Sequence, residues 1–335
     1  MKTWAQIASF LKEGDACALV TVSRVDGSAP REAGARMVVA PDMRFSGTIG
    51  GGTLEFETIR NAAMAARAGM AVFRQQNVSL GPDLGQCCGG RAQITIEVLT
   101  KESLGLCETL AAQEAELGMI ATRAPLDDES VGNRRVSHQS PEYPFAIETD
   151  ADGSQQLVEV FGQVRRPIVL FGAGHVGKAL VLALAPLPFE VSWIDGRPDQ
   201  FPGAVPANVR KIAMTDPANA LENARDGAFV LAMTHSHALD EEIMARALLH
   251  QRFGYCGVIG SRTKKVRFQK RLKSRGIAPS LISHMVCPIG STTIKSKAPA
   301  TIAAGIAADL LGRDEALHQQ AAAGEGLAQN IPHGQ

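Results

Sequence analysis

Two short segments of this 335-residue chain hold residue types at spacings that suit ligand chemistry. The first is Gly172-Ala173-Gly174-His175-Val176-Gly177. Its first glycine permits a tight turn, its second lets backbone approach a phosphate, and its third lets a helix pack closely on a strand. The apolar run Pro167–Phe171 precedes it, and Asp195 ends the next apolar run, where an acid can grip ribose hydroxyls. A helix opening at His175 would add its free amides and dipole, so the segment suits an anion. Asp195 has a plainer alternative as a carboxylate that bonds its own loop. The second segment is Gln86-Cys87-Cys88-Gly89-Gly90, in which adjacent cysteines flanked by glycine can reach a soft metal or a sulfur donor. One cysteine buried under the next strand and one incidental is the alternative there.

Further chemistry-bearing residues fall at the ends of apolar runs: Thr234-His235-Ser236-His237 with Asp240, Gly260-Ser261-Arg262, and Cys287-Pro288-Ile289-Gly290-Ser291. His235, His237 and Asp240 suit a transition metal by type, or a cleft wall in which the histidines bond loop carbonyls or a ligand. From Arg262 to Arg275 there are eight basic residues and no acid. The first of them can meet an anionic group and the rest a partner protein, although such runs are often solvated faces. Lys295 and Lys297 can supplement phosphate binding or solvate a loop. No Ser/His/Asp nucleophile elbow is present.

The elements that must position these residues change character midway. The N-terminal half begins with an amphipathic helix carrying Trp4, Ile7, Phe10 and Leu11, followed by a strand hairpin over 17–40. The cluster Gly50-Gly51-Gly52 joins strand to helix, and strands near 71–78 and 91–99 flank the cysteine loop. A helix over about 103–116, a polar stretch 125–144 and a hairpin at Asp152-Gly153 follow. From Arg165, apolar strands alternate strictly with helices, the last of them an alanine-rich helix over 299–311. The expected fold is α/β: an N-terminal α/β domain with mixed strands over 1–163, a C-terminal Rossmann-type doubly wound parallel sheet over 164–315, and a flexible tail over 316–335.

Lys plus Arg equals Asp plus Glu at 34 each, so no global field recruits nucleic acid or an anionic membrane. The longest apolar stretch, interrupted by Pro186, falls short of the roughly 20 residues of a membrane span. Cys17, Cys87, Cys88, Cys107, Cys256 and Cys287 form no CxxC pair, which speaks against a disulfide framework or a zinc ribbon and fits a reducing cytoplasm.

The combination of GTIGGGTLE, QCCGG, GAGHVG with WIDGRP, MTHSHALDEE, VIGSRTKK and CPIGS ahead of KAPATIAAGIAADLL closely resembles the XdhC/CoxI family, from about Ala18 to Leu311. The segment TTIKSKAP departs from the family pattern in being more basic and poorer in glycine. The resemblance implies a maturation factor without turnover of its own. Such a factor binds molybdenum cofactor (molybdopterin) transiently, supports its sulfuration by a cysteine desulfurase, and delivers it to xanthine dehydrogenase or a related molybdenum hydroxylase. It makes Gly172, Gly174, His175, Gly177, Asp195, His235, Ser261 and Arg262 candidate cofactor contacts, with a nucleotide as another occupant of the turn. Cys87 and Cys88 become candidates for molybdenum or persulfide contact, with Cys287 a third. Homo-oligomerisation is compatible with this expectation. The residues alone also leave open an NAD-dependent oxidoreductase using Asp195, and a redox- or metal-sensing scaffold using the cysteine pair.

Overall fold

The computed structural model describes residues 2–80, 89–127, 130–137, 143–291 and 293–328. The chain divides into two compact units, Met1–Val164 and Arg165–Gln335.

In the first unit the amphipathic start forms α1 (Thr3–Glu13), burying Trp4, Ile7 and Leu11. Its N-terminal amides, which have no intrahelical acceptor, are satisfied from far along the chain: the Glu114 carboxylate accepts from the amides of Thr3 (3.2 Å) and Trp4 (3.1 Å). There follow β1 (Ala16–Asp26), β2 (Arg36–Val39), β3 (Phe45–Gly47), α2 (Gly52–Arg67), β4 (Val72–Ser79) and β5 (Arg91–Thr100). These strands make an antiparallel sheet in the order β3-β2-β1-β5-β4, on which α2 packs through Leu54, Ile59, Ala62 and Ala66.

After α3 (Leu104–Leu117) come β6 (Met119–Asp127), β7 (Ser130–Val131), β8 (Arg135–Ser137), β9 (Phe145–Thr149) and β10 (Gln155–Gly162). They form a second antiparallel sheet, β7-β6-β10-β9, with β8 also pairing with β6. The central strand β6 was not expected from the sequence. Its buried side is Ile120, Thr122, Ala124 and Leu126, and threonine and alanine give too little contrast for the period of two to stand out.

Besides Glu114, four charged side chains are buried together in this unit. Arg134 pairs with Glu97 and with Glu159 (2.7 Å), and Arg36 with Glu159 (3.2 Å), while the Arg36 guanidinium lies 4.1 Å from the Phe161 ring centre. Losing one partner of such a pair costs about 3–5 kcal/mol, because the survivor stays buried and uncompensated.

The second unit runs β11 (Arg166–Phe171), α4 (His175–Ala183), β12 (Phe189–Asp195), β13 (Val209–Ala213), β14 (Phe229–Ala232), α5 (His237–His250), β15 (Tyr255–Val258), α6 (Arg262–Ser274), α7 (Pro279–Ser283), β16 (Met285–Val286) and α8 (Pro299–Ala328). All six strands are parallel, in the order β13-β12-β11-β14-β15-β16, as the strict alternation of strands and helices implies. Alternate strand residues are buried on opposite faces. Ile168, Leu170, Phe229 and Leu231 pack with α4 and α8, while Val169, Phe171, Val230 and Ala232 pack with α5, α6 and α7. The order reverses between β11 and β14, which opens a crevice at their carboxyl ends. Helix α8 continues to Ala328, well past the expected end at 311, because no proline or glycine pair interrupts its alanine-rich continuation.

Candidate cofactor site

The glycine turn leads from β11 into α4 at that crevice, and its three glycines answer to different constraints. Gly172 has φ +111°, and a Cβ there would stand 2.4 Å from the Met233 carbonyl oxygen. A Cβ on Gly177 would stand 2.2 Å from the Gly172 carbonyl oxygen, which also accepts the Trp193 indole N–H at 3.0 Å. Both glycines are therefore required by packing. Gly174 is different. Its backbone is extended (φ −75°, ψ −173°), which any residue adopts, and a Cβ there would meet nothing within 4 Å. Neither the backbone nor its neighbours require glycine at 174. A ligand that approaches the chain closely would require it, and the opening amides of α4, which have no intrahelical acceptor, can bond an anion. His175 is exposed beside it.

Asp195 ends β12 beside the turn, and its carboxylate is heavily used. One oxygen accepts the Ala173 amide (2.7 Å) and Arg197 Nη2 (3.0 Å); the other accepts the Arg197 amide and Arg197 Nε, both at 2.9 Å. Burial alone would raise its pKa, but the Arg197 guanidinium and the two amides together hold it below the ordinary carboxylate value. A carboxylate offers about four lone-pair sites, and all four are taken, so a ribose diol would have to displace an existing bond. Arg197 sits in the WIDGRP segment and was not singled out as a site residue from sequence. The signal was its place two residues after the acid, which lets backbone and side chain clasp the same carboxylate.

The remaining strand ends bring some candidates together and separate others. Asp240 is fully buried: it accepts the Thr234 amide (2.9 Å) and hydroxyl (2.8 Å) on one oxygen and Lys264 Nζ (2.7 Å) on the other. His235 and His237 are exposed. The three are thus not assembled around one point, and no cluster of three or more potential metal ligands occurs among the described residues. Ser236 caps α5 and Ser261 caps α6, each hydroxyl accepting an amide three residues on. Cys287 is 4% exposed, with its Sγ 3.8 Å from the Ser261 carbonyl oxygen, and burial pushes its thiol up, so it stays protonated at neutral pH. A protonated thiol is a poor metal ligand. Cys87 and Cys88 lie outside the described residues.

Against known proteins, a family model described as the XdhC Rossmann domain matches residues 168–310, and one described as the XdhC and CoxI family matches residues 10–75. The chain belongs to the XdhC and CoxI family. As a family member it aligns over 335 positions with a Bacillus subtilis protein named as a probable subunit of xanthine dehydrogenase. That alignment is 23% identical and covers 90% of this chain and 94% of the relative. An Escherichia coli protein, the uncharacterised YqeB, is 28% identical over 169 residues, which are 50% of this chain but only 30% of that protein. A crystal structure of a protein from Bacillus halodurans described as a xanthine dehydrogenase superposes with a TM-score of 0.74 at 20% identity. It covers 94% of this chain and 96% of that one, and so shares the fold. No described helix is long and apolar enough to cross a membrane.

Proposed function

We propose that this XdhC/CoxI protein is an accessory factor for xanthine dehydrogenase or a related molybdenum hydroxylase. It binds molybdenum cofactor, supports sulfuration of the metal by a cysteine desulfurase, and hands the product to the apo-enzyme. Family membership and the full-length likeness to a protein named for xanthine dehydrogenase support the partner. The observation that carries the ligand is Gly174: a glycine with ordinary backbone angles and open space before it, at the head of α4. That cradle fits the terminal phosphate of a pterin cofactor. His175 flanks the phosphate, Gly172 and Gly177 hold the turn to its strand, and His235, Ser261 and Arg262 stand at the neighbouring strand ends. Cys87 and Cys88 are assigned to the molybdenum or to its sulfur. The cargo supplies the metal chemistry; the chain binds, shields and releases it.

The test is retention of molybdenum cofactor by the full chain through gel filtration, together with sulfurated cofactor content of a co-expressed apo-hydroxylase. Substituting both cysteines by alanine should leave the phosphate end bound and lower the sulfurated fraction. Unchanged activation by that variant would remove the cysteine assignment.

A second occupant of the turn, a nicotinamide dinucleotide serving an oxidoreductase, is favoured by the strand order and glycine spacing. The fully engaged Asp195 carboxylate counts against it, since it has no free acceptor for a ribose diol. Saturable micromolar NAD binding, abolished in Asp195→Ala, would reinstate it.

A further inference from the structure

Helix α6 carries seven cations in thirteen residues and no acid, in a chain whose formal charge is zero. Lys264, Arg267 and Arg271 follow one another at intervals of three and four, which places them along one side of the helix, toward α5. The acids available there are Asp240, Glu241 and Glu242. Lys264 pairs with Asp240 at 2.7 Å, and Arg271 with Glu241 at 3.1 Å. Arg275 takes Glu242 at 2.6 Å, and Arg246 also holds Glu242, at 2.7 Å. The three acids are thus used, and the middle cation of the row, Arg267, has no ion-pair partner among the described residues.

Arg267 also lines a cleft of about 420 Å³, together with His237, Ser261, Thr263, Phe268 and Arg271. Like charges three and four residues apart weaken a helix, and cations in its first turn oppose the dipole. Arg262, Lys264 and Lys265 stand in that unfavourable place. Asp240 and Glu241 offset Lys264 and Arg271, so it is Arg267, between them, whose charge is met by no anion among the described residues.

We propose that this cleft binds a phosphate group, with the guanidinium of Arg267 as the principal contact and Thr263, Ser261 and His237 as further donors. A guanidinium fork matches two phosphate oxygens at once, which an ammonium does not. No residue of the glycine turn lines this cleft; the cleft shares Ser261 with the candidate cofactor contacts, but the proposal rests on Arg267 and not on the molybdenum-cofactor assignment. The source of the phosphate can be free phosphate or the phosphomonoester of a small molecule.

The experiment measures melting temperature and calorimetric binding of the full chain with inorganic phosphate and, in parallel, with glycerol 3-phosphate. Gly174→Ala serves as the background, so that binding at the glycine turn does not contribute. Phosphate should bind saturably and raise the melting temperature. Arg267→Ala should weaken binding at least tenfold without lowering the melting temperature in phosphate-free buffer, because it removes a repulsive charge. Arg267→Lys should bind with intermediate strength. Tighter binding of glycerol 3-phosphate than of phosphate identifies a phosphomonoester as the ligand, and the reverse identifies the free ion. Equal phosphate binding with and without Arg267, or no saturable binding, overturns the proposal. So does tighter binding of hexaglutamate than of either phosphate, which would make the face a dock for an acidic protein segment. Loss of binding only when Gly174 is replaced in the otherwise natural chain would leave the glycine turn standing and remove this cleft.

Discussion

The chain contains two glycine-rich turns that lead from a strand into a helix, and they solve the same electrostatic problem in opposite ways. At Gly50-Gly51-Gly52 every glycine has positive φ, so backbone geometry alone explains the residue type. The anion that such a turn attracts is supplied internally. Glu55, one turn into α2, accepts the amides of Ile49 (2.9 Å) and Gly51 (3.2 Å) and the Thr48 hydroxyl (2.5 Å). At Gly172-Ala173-Gly174 the nearby carboxylate, Asp195, takes only the Ala173 amide and spends the rest of its capacity on Arg197. The second turn keeps one glycine that its backbone does not need. Richness in glycine is thus common to both, and what separates them is where the nearest carboxylate sits.

The largest effect that can break this contrast is on packing. Gly172→Ala and Gly177→Ala should each lose about 2–3 kcal/mol in urea unfolding, since the new methyl meets backbone oxygen and not a movable side chain. A loss below about 0.5 kcal/mol, the size of an ordinary surface change, would mean the turn is looser than its geometry implies.

Glu55→Ala should cost about 1 kcal/mol, the scale of a lost N-terminal cap. Burial would raise the Glu55 pKa, but the Thr48 hydroxyl and the loop amides together hold it below the ordinary value. Its contribution is therefore present above the unfolded glutamate pKa of about 4.3 and is lost as pH falls through the lower folded value. Glu55→Gln should flatten that part of the acid limb, and an unchanged limb would show that Glu55 is not the internal anion.

The smallest effect on stability, and the most informative, belongs to Gly174→Ala. Its angles suit alanine, so stability should rise by about 0.5 kcal/mol through the unfolded chain. Retention of molybdenum cofactor should nevertheless fall at least tenfold, because the methyl occupies the space a phosphate must enter. Unchanged retention would erase the distinction between the two turns.

Much of this was legible beforehand. The glycine turn and the alternation that builds the parallel sheet follow from short apolar runs and from the strict strand-helix order, and the edge strand Val209–Ala213 was expected too. Strand β6 was not, for its buried face is Thr122 and Ala124 as much as Ile120 and Leu126. Nor was the buried set of Arg36, Glu97, Arg134 and Glu159. In sequence each is an ordinary surface-type charge, and their pairings span 25 to 123 residues of chain. The acid at the end of β12 was read either as a grip for ribose hydroxyls or as a carboxylate that bonds its own loop; it bonds the Ala173 amide and Arg197, and the sequence reading did not single out Arg197.

By itself the sequence determined which residues line the ends of the C-terminal strands and that a helix begins at His175, because both depend on local periodicity and on glycine's freedom. Only the tertiary structure decided which charges are already satisfied. Asp195 is closed by Arg197 and Asp240 by Lys264, while Arg267 has no ion-pair partner among the described residues. Charge pairing depends on distances between segments far apart in the chain, and those distances are set by how the helices pack on the sheet.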